Sequence, residues 1–405
     1  MTPTVSDFDD LRFDEASFYL GDPHPVLARL RAEDPVHWYE RGDFWVVTRY
    51  DDIKAIEANP TVFSSRRVAI MQDLRARREG APSELGDARG VMYMDPPEHG
   101  AHRKPFSARF TPRSVSEMDH GVRAVVTEVL DGLPEGPFDW ISQVAEPVPV
   151  LVFAELLGLP RSDGHRMVEW STTIARLGSG LAGDDEYAVV FEEIMPFLME
   201  RIVERQAHPT DDLLSLISTV EVDGQPLDDI QKVTWATVLL AAGSETTQSL
   251  IGGLAGSFLL EPEQAEIAFA DPSLAGATIE EVLRWWTPVV SMARDTNEAT
   301  QVGETEIAAG DALLLMYPSG NRDESRFGAD ADRFDVRRPE ASAHLAFGFG
   351  EHFCLGAHLA RREGRLLLEE LAHRFRALEP AGDAVPRAST LVHTFDELPV
   401  TLVRR

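Results

Sequence analysis

The chain has 405 residues, of which 43% are hydrophobic and 26% are charged, a balance that is typical of a folded protein and excludes wholesale disorder. Its formal net charge of −30 disfavours nucleic acid and anionic membranes as partners. The single cysteine excludes an intrachain disulfide and any zinc or iron–sulfur site built from several cysteines.

The N-terminal residues 1–18 are acidic and polar, and they lack the basic and apolar regions of a signal peptide. The longest apolar stretches, 144–159 and 238–260, are interrupted by prolines, acids or other polar residues. Neither is expected to span a membrane. We therefore expect a cytoplasmic protein without a membrane anchor.

Helical spacing dominates from about residue 112 to 283 and again from 355 to 375. Short runs with strand character lie near both ends of the chain, at 37–39, 44–47, 307–308, 312–316 and 400–402. The sequence predicts a mainly α fold, a helical body with a small β region. Because distant parts of the chain would share that β region, we expect one domain over residues 1–405.

The segment from Ser64 to Gly90 is rich in Arg, Asp, Glu and Gly and has little regular apolar spacing. We predict a long mobile loop here. Long loops in compact domains often act as lids or binding loops, which suggests control of substrate access. A disordered insertion is the alternative.

Residues 233–260 are predicted to form one long helix, which contains the run Ala241-Ala242-Gly243-Ser244-Glu245-Thr246-Thr247. A glycine inside a helix costs roughly 1 kcal/mol relative to alanine. Serine and threonine hydroxyls in a helix can bond to the carbonyl four residues earlier and bend it. The run is therefore a poor choice for a plain core helix, which leaves a helix kink or a site for chemistry.

The only cysteine, Cys354, lies where the glycine-rich loop Phe347-Gly348-Phe349-Gly350 leads into a helical pattern. Backbone N–H groups and the dipole at a helix start stabilise a thiolate. Glycines allow the backbone to approach a flat ligand closely, and His352 places a donor two residues before the sulfur. A thiolate on haem iron pushes electron density onto the metal and favours O–O cleavage.

The run from Phe347 to Gly356 resembles the haem-ligand motif of the cytochrome P-450 family, F-G-x-G-x-H-x-C-x-G, at every fixed position. The resemblance extends from about Phe13 to Val403, chiefly to soluble bacterial members. It implies the cytochrome P-450 fold and haem b as cofactor. It also implies Cys354 as the iron ligand, with Phe347, Gly348 and Gly356 against the haem.

The run from Ala242 to Thr246 resembles the family's oxygen-activating A-G-x-E-T motif. The resemblance implies that Ala242 and Gly243 leave room for dioxygen. It further implies that Thr246 offers a hydroxyl to dioxygen and that Glu245 relays protons from solvent.

Glu281 and Arg284 are three residues apart on one helical face, a spacing that alone usually marks a surface ion pair. They match the family's E-x-x-R motif, and the resemblance gives Arg338 as their structural partner. It also assigns the haem propionates to His99, Arg103, Arg294 and His352.

The implied reaction is insertion of one oxygen atom from dioxygen into a C–H bond or an alkene. Electrons would come from NAD(P)H through a reductase and a ferredoxin-type donor, because the chain has no flavin or iron–sulfur motif. One rival is a peroxide-driven peroxygenase, against which Glu245 and Thr246 argue. A second is a non-catalytic haem protein that binds or senses ligands, which would leave the relay motif unexplained. A monomer is expected.

The residues that the resemblance places above the haem are apolar, which favours a lipid, terpenoid, steroid or polyketide-like substrate over a charged one. They are Val238, Leu239, Val289, Val290 and Met292. Thr394, beside His393 in a predicted turn, would add a polar contact. Cations near the cysteine are expected to steer an acidic donor protein in a salt-sensitive way. They are Arg103, Lys104, Arg109, Arg113, Arg361, Arg362 and Arg365.

Overall fold

The computed structural model describes residue 8 and residues 10–81, 90–178 and 184–405. The helices described before residue 220 are α1 (His24–Glu33), α2 (Tyr50–Glu57), α3 (Met71–Glu79), α4 (Glu98–Ser107), α5 (Pro112–Glu117), α6 (Asp119–Asp131), α7 (Pro147–Leu157), α8 (Gly164–Gly178), α9 (Asp184–Val189), α10 (Met195–Ala207) and α11 (Leu213–Thr219). Those after it are α12 (Asp229–Leu260), α13 (Pro262–Ala270), α14 (Ala275–Trp286), α15 (Tyr317–Gly320), α16 (Glu324–Phe327) and α17 (Ala357–Arg374).

The strands are β1 (Val36–Tyr39), β2 (Phe44–Val47), β3 (Phe63–Ser64), β4 (Phe138–Asp139), β5 (Glu221–Val222), β6 (Gln225–Pro226), β7 (Ser291–Thr296), β8 (Thr300–Val302), β9 (Thr305–Ile307), β10 (Ala312–Met316), β11 (Phe375–Pro380), β12 (Val385–Pro386), β13 (Phe395–Glu397) and β14 (Pro399–Arg404). The largest sheet has the order β1-β2-β10-β7-β3, with β10 parallel to β2 and antiparallel to β7. A second sheet has the order β11-β14-β4, and β5–β6, β8–β9 and β12–β13 are separate pairs.

Strand β10 shows why this sheet lies at the centre of the β region. All five of its residues are buried. Ala312, Leu314 and Met316 pack into a core on one face, and Leu313 and Leu315 pack into a core on the other. Because successive side chains of a strand point to opposite faces, the continuous apolar run indicates that both faces are covered.

Helix α12 runs through the large helical core. It begins with a capping box, in which the Asp228 carboxylate accepts from the Gln231 N–H at 2.8 Å and the Gln231 side-chain oxygen accepts from the Asp228 N–H at 2.9 Å. It ends before Pro262, which starts α13. Its 32 residues span about 48 Å, and most are buried among the surrounding helices.

The predicted mainly α fold with a small β region is confirmed, and the strand-like runs at 37–39, 44–47, 312–316 and 400–402 fall within β1, β2, β10 and β14. One strand, β2, comes from the N-terminal part of the chain and pairs with β10 from the C-terminal part. That pairing supports the single domain expected for residues 1–405, which stays a prediction. No helix within the described ranges is long and apolar enough to cross a membrane.

The loop expected from Ser64 to Gly90 is wrong for residues 71–79, whereas residues 65–70 form neither helix nor strand. Residues 71–79 form α3, which buries Met71 and Leu74 beside the sheet core. The helix was missed because only these two apolar side chains anchor it, while its other positions are mostly arginines and acids. Residues 82–89 of the expected loop lie outside the described residues.

Candidate active site

The loop before Cys354 is held by tight backbone contacts. Gly348 and Gly350 have φ angles of 66° and 69°, in the left-handed region that favours glycine. A Cβ on Gly350 would lie 2.3 Å from the Glu57 carbonyl oxygen of α2. The Cys354 N–H donates to the Phe347 carbonyl at 2.9 Å and closes the loop. Glycine is therefore required at Gly350 by backbone conformation and by space.

The sulfur of Cys354 lies at the start of α17. Burial raises the pKa of the Cys354 thiol, while hydrogen bonds from the Gly356 and Ala357 N–H groups and the nearby guanidinium groups of Arg103 and Arg361 act in the opposite direction. These groups are donors and positive charges, which stabilise a thiolate. The site therefore suits a sulfur that binds a positively charged partner such as a metal ion.

The four residues assigned to carboxylate binding come together beside this loop. Burial lowers the pKa of His352 to about 3, and the positive charges of Arg294, His99 and Arg103 add to that effect. The rings of His99 and His352 lie 4.3 Å apart. The Arg103 guanidinium donates to the Phe353 carbonyl at 2.5 Å.

The side chain of His99 is 1% exposed, and neither of its ring nitrogens has a hydrogen-bond partner among the described residues. The Glu351 carboxylate lies 3.9 Å from the His99 Nδ1 atom, beyond hydrogen-bond distance. Buried polar atoms are normally paired, so an imidazole without a hydrogen bond beside Arg103 and His352 indicates a place for an anionic ligand. A group that carries two carboxylates, as haem does, fits this donor set.

Helix α12 presents an uncovered face in the middle of an otherwise buried segment. Ala242 is exposed and Thr246 is partly exposed, whereas Leu240 and Ser244 are buried. The Thr246 hydroxyl donates to the Ala242 carbonyl at 2.7 Å. The exposed face is made of a small residue and a hydroxyl, which leaves room for a flat group and for a small molecule beside it.

Glu245 points away from water. Its side chain is buried, and its Oε1 atom has no hydrogen-bond partner among the described residues. Burial raises its pKa to about 7, and the positive charge of Arg387 opposes the rise. A carboxyl with a pKa near 7 both gives and accepts protons at neutral pH, which is the property expected of a proton relay.

Gly243 is closely packed on one side. A Cβ at this position would lie 2.4 Å from the Phe153 ring of α7. The glycine therefore allows α7 to pack closely against α12. The expectation that Ala242 and Gly243 leave room for dioxygen stays a prediction.

Glu281, Arg284 and Arg338 form one buried ion cluster. The Arg284 Nε and Nη2 atoms donate to the two Glu281 oxygens at 2.7 and 2.8 Å, and the Arg338 Nε donates to Glu281 at 3.2 Å. Arg284 also donates to the carbonyls of Asn321, Ala331 and Arg333. The cluster joins α14 to the segment that leads to the cysteine loop.

The six residues expected to line a substrate pocket divide into two groups. Val238, Val289 and Met292 are partly exposed. Leu239 and Val290 are buried in hydrophobic cores, and Thr394 is 1% exposed and packs near Gly252 of α12. The pocket role of all six residues stays a prediction, and the three partly exposed side chains support it most directly.

The cations around the cysteine are mostly paired with acids. Arg361 donates to Glu280 at 2.6 Å, and Arg365 donates to Glu369 at 2.7 Å. Three further pairs are Arg362 with Asp119, Arg109 with Asp211 and Arg113 with Glu117. Lys104 is exposed and makes no ion pair with the described residues. The expected basic surface is therefore largely neutralised.

Two residues that the sequence analysis missed support the cysteine loop. Glu57 of α2 is buried, accepts from the Tyr317 hydroxyl at 2.6 Å and lies 3.5 Å from Arg294. A Cβ on Gly348 would lie 3.2 Å from a Glu57 carboxylate oxygen. Glu57 therefore fixes both Arg294 and the loop. Its place in an ordinary amphipathic helix gave no sequence signal.

Comparison with known proteins gives relatives over nearly the whole chain. The cytochrome P-450 family model matches residues 270–397. The erythromycin C-12 hydroxylase of Saccharopolyspora erythraea is 37% identical over 87% of this chain and 87% of its own length. The vitamin D(3) 25-hydroxylase of Pseudonocardia autotrophica is 35% identical over 94% of each chain.

Solved structures agree with this. A mutant of cytochrome P-450 EryK in complex with erythromycin B superposes with a TM-score of 0.82 and 34% identity. The match covers 94% of this chain and 96% of that one. EryK comes from S. erythraea.

Proposed function

Because this chain belongs to the cytochrome P-450 family of haem b monooxygenases, we propose that Cys354 is its iron ligand and that it oxidises a hydrophobic small molecule. The observation that carries the proposal is the donor set at the start of α17. It combines one sulfur, which N–H groups and cations face, with the His99 ring, which makes no hydrogen bond to the described residues.

The residues present fit haem b. Cys354 would hold the iron, with Phe347, Gly348 and Gly356 against the macrocycle. His99, Arg103, Arg294 and His352 would bind the propionates, and Ala242 would border the opposite face. Haem iron bound to a thiolate activates dioxygen and inserts one of its atoms into an unreactive bond.

Glu245 and Thr246 would manage protons at that face. Glu245 holds or releases a proton on its carboxyl group near neutral pH because burial places its pKa at about 7. The Thr246 hydroxyl already donates to the Ala242 carbonyl, so its oxygen is free to accept a second hydrogen bond. Glu245 would hold a proton inside the protein, next along the chain to the Thr246 hydroxyl at the uncovered face of α12.

The proposed substrate is a lipid, terpenoid, steroid or polyketide-like molecule. Val238, Val289 and Met292 offer partly exposed apolar surface, against which each buried methylene contributes about 0.8 kcal/mol. The two relatives named for hydroxylation of erythromycin and vitamin D(3) point to large, mostly apolar compounds.

The ligand assignment is tested with Cys354→Ser. The wild type should bind haem and, after reduction and addition of carbon monoxide, show the strongly red-shifted Soret band of thiolate ligation. The variant should lose that band. A band that persists in Cys354→Ser would refute the assignment.

The substrate class is tested by titrating ferric protein with erythromycin B, vitamin D3, testosterone, linalool and lauric acid, with succinate as a small anionic control. Apolar compounds should convert the iron to high spin. A tight shift with succinate and none with the other five would overturn the proposal. Turnover with NADPH and a ferredoxin–reductase pair, set against hydrogen peroxide alone, separates the monooxygenase from a peroxygenase and from a non-catalytic sensor.

We further propose that the electron donor docks beside the cysteine loop, where Phe349 and Phe353 are each 37% exposed. Lys54 lies 4.8 Å from the Phe349 ring, and Lys104 is exposed nearby on α4. Because most other cations here are paired with acids, apolar contact should contribute more than charge to the binding of the donor. Phe353→Ala should slow reduction of the haem protein by its donor more than Lys104→Ala does. The opposite order would contradict docking at this surface.

A further inference from the structure

A second carboxylate, Glu146, contacts α12 one helical turn from Glu245, at Gln248. Glu146 precedes α7 and follows a π-helical turn over Ile141–Ala145. The Gln248 side-chain amide of α12 donates to the Glu146 Oε1 atom at 3.2 Å. Since Gln248 follows Glu245 by three residues, both lie on one face of α12, the face that meets Glu146.

Arg387, which follows β12, has both carboxylates within the range of its charge and contacts an exposed acid. Its positive charge acts to lower the pKa of Glu245 and that of Glu146, against the burial that raises each. Its Nε donates to Asp396 at 2.6 Å, and the Asp396 side chain is 51% exposed. Glu146, Gln248, Arg387 and Asp396, here called the distal polar group, therefore lead from the face of α12 that carries Gln248 to an exposed carboxylate.

The proposed reaction needs such a connection. Its balance is R–H + O₂ + NAD(P)H + H⁺ → R–OH + H₂O + NAD(P)⁺, in which two electrons reduce one oxygen atom to water and two protons are used at the site. Glu245 is only 8% exposed, and its Oε1 has no partner among the described residues. It needs a group that exchanges protons with solvent.

We propose that Glu146, which the Gln248 amide holds against α12, passes protons from solvent to Glu245. Glu146 is a positioning residue that acts through Glu245, and it is the carboxylate of the distal polar group that is partly buried and hydrogen-bonded to α12. Gln248 fixes its carboxylate, and Arg387 keeps both carboxylates able to release a proton. This inference rests on the proposed monooxygenase function.

The test compares Glu146→Gln with Glu155→Gln. Glu155 lies on α7, but it faces α6, where its Oε2 atom is 3.0 Å from the position of a Cβ on Gly121. The substrate is whichever of the five panel compounds gives the wild type its largest high-spin shift. Product per NADPH, product rate and the solvent isotope effect are measured for each protein.

With NADPH, Glu146→Gln should form product about tenfold more slowly, release more hydrogen peroxide and show a larger solvent isotope effect. A general acid–base group typically increases the reaction rate about 10²–10⁴-fold, and Glu146 would act one proton transfer away from the reaction, so its effect should be smaller. With hydrogen peroxide as oxidant, R–H + H₂O₂ → R–OH + H₂O needs no proton from solvent. The peroxide-driven rate should therefore equal that of wild type, and Glu155→Gln should match wild type in every assay.

Three outcomes would overturn the inference. They are unchanged coupling and isotope effect in Glu146→Gln, equal losses with NADPH and with peroxide, and equal losses in Glu155→Gln. If Glu146→Gln does not bind haem, Gln248→Leu, which removes the amide donor, should show the same pattern with about a threefold loss. A wild type that turns over none of the panel compounds would refute the proposed function itself.

Discussion

Two buried glutamates on packed helices have opposite surroundings. Glu281 of α14 accepts hydrogen bonds from Arg284, Arg338 and the Asp335 N–H. Glu245 of α12 has an oxygen without a partner among the described residues, and burial raises its pKa to about 7. The charge of Glu281 is neutralised by cations, whereas Glu245 is about equally populated in its protonated and ionised forms near neutral pH.

The surroundings of a buried carboxylate decide whether it suits a structural or a chemical role. A buried charge with partners is fixed, because losing any partner leaves the others desolvated and unpaired. A buried carboxyl without partners is costly when ionised, so it exchanges protons easily near neutral pH. The same residue type is thus either fixed as a paired charge or left able to exchange protons, according to what faces it.

Breaking the fixed cluster should have the largest effect. Glu281→Ala leaves Arg284, which is 0% exposed, without its carboxylate. The free energy of unfolding should fall by about 3–5 kcal/mol, as for other broken buried pairs, and haem retention should fall with it. Urea unfolding followed by circular dichroism measures this. Glu266→Gln, exposed on α13, is the control, and a loss under about 1 kcal/mol in Glu281→Ala would contradict the assigned role.

Removing the titrating carboxyl should change how stability depends on pH. The pKa of Glu245 is raised from its ordinary 4.5 to about 7, so between these values the folded protein holds a proton that the unfolded chain has released. Stability from this group is therefore lost as pH rises through that window. From pH 5 to pH 8 the wild type should lose about 2.5 kcal/mol more than Glu245→Gln. If the free energy of unfolding depends on pH in the same way in both proteins, Glu245 is ionised throughout this pH range. The control Glu266→Gln should show the pH dependence of the wild type.

Removing the hydroxyl beside Glu245 should affect coupling and leave the fold intact. Thr246→Ala deletes a partly exposed group whose hydrogen bond goes to its own helix at Ala242. Product per NADPH should fall about tenfold while hydrogen peroxide release rises, because proton supply is impaired. Thr246→Ser, which keeps the hydroxyl, should retain most of the coupling. Equal coupling in Thr246→Ala and wild type would remove this residue from the proton path.

The smallest effect is expected where an ion pair is exposed. Arg365 pairs with Glu369 at 2.7 Å, and the arginine side chain is 46% exposed. Arg365→Ala should change the free energy of unfolding by about 0.5 kcal/mol or less, since water screens such pairs. The change should shrink further in 0.5 M salt. If Arg365→Ala lowered the free energy of unfolding by more than about 2 kcal/mol, solvent exposure would not explain the difference between this pair and the Glu281 cluster.

Local motifs were the part of the site that could be predicted from the sequence. The loop before Cys354 and the Glu281–Arg284 spacing carry their information within a few residues, because backbone conformation and helical spacing are local properties. The structure places Arg338 against Glu281 as the resemblance implied.

Packing partners could not be predicted in the same way. The sequence of α12 does not say that Phe153 of another helix presses on Gly243. Leu239 and Val290 pack in hydrophobic cores. An apolar residue suits both a core and the wall of a pocket, so residue type alone does not distinguish the two. The cations after Cys354 suggested a basic surface because their acidic partners, such as Asp119 and Glu280, are far away along the chain.

The parallel pairing of β2 with β10 has a consequence for synthesis. Strand β2 ends at Val47, whereas β10 begins at Ala312, so one edge of the β1–β2 hairpin has no strand to pair with until most of the chain has been made. Ribosomes add about 5–20 residues per second, which leaves that edge open for tens of seconds. An open apolar edge is a site for wrong pairing between chains. Slow synthesis or crowded polysomes should therefore harm the yield of this protein at its N-terminal hairpin, far from the cysteine.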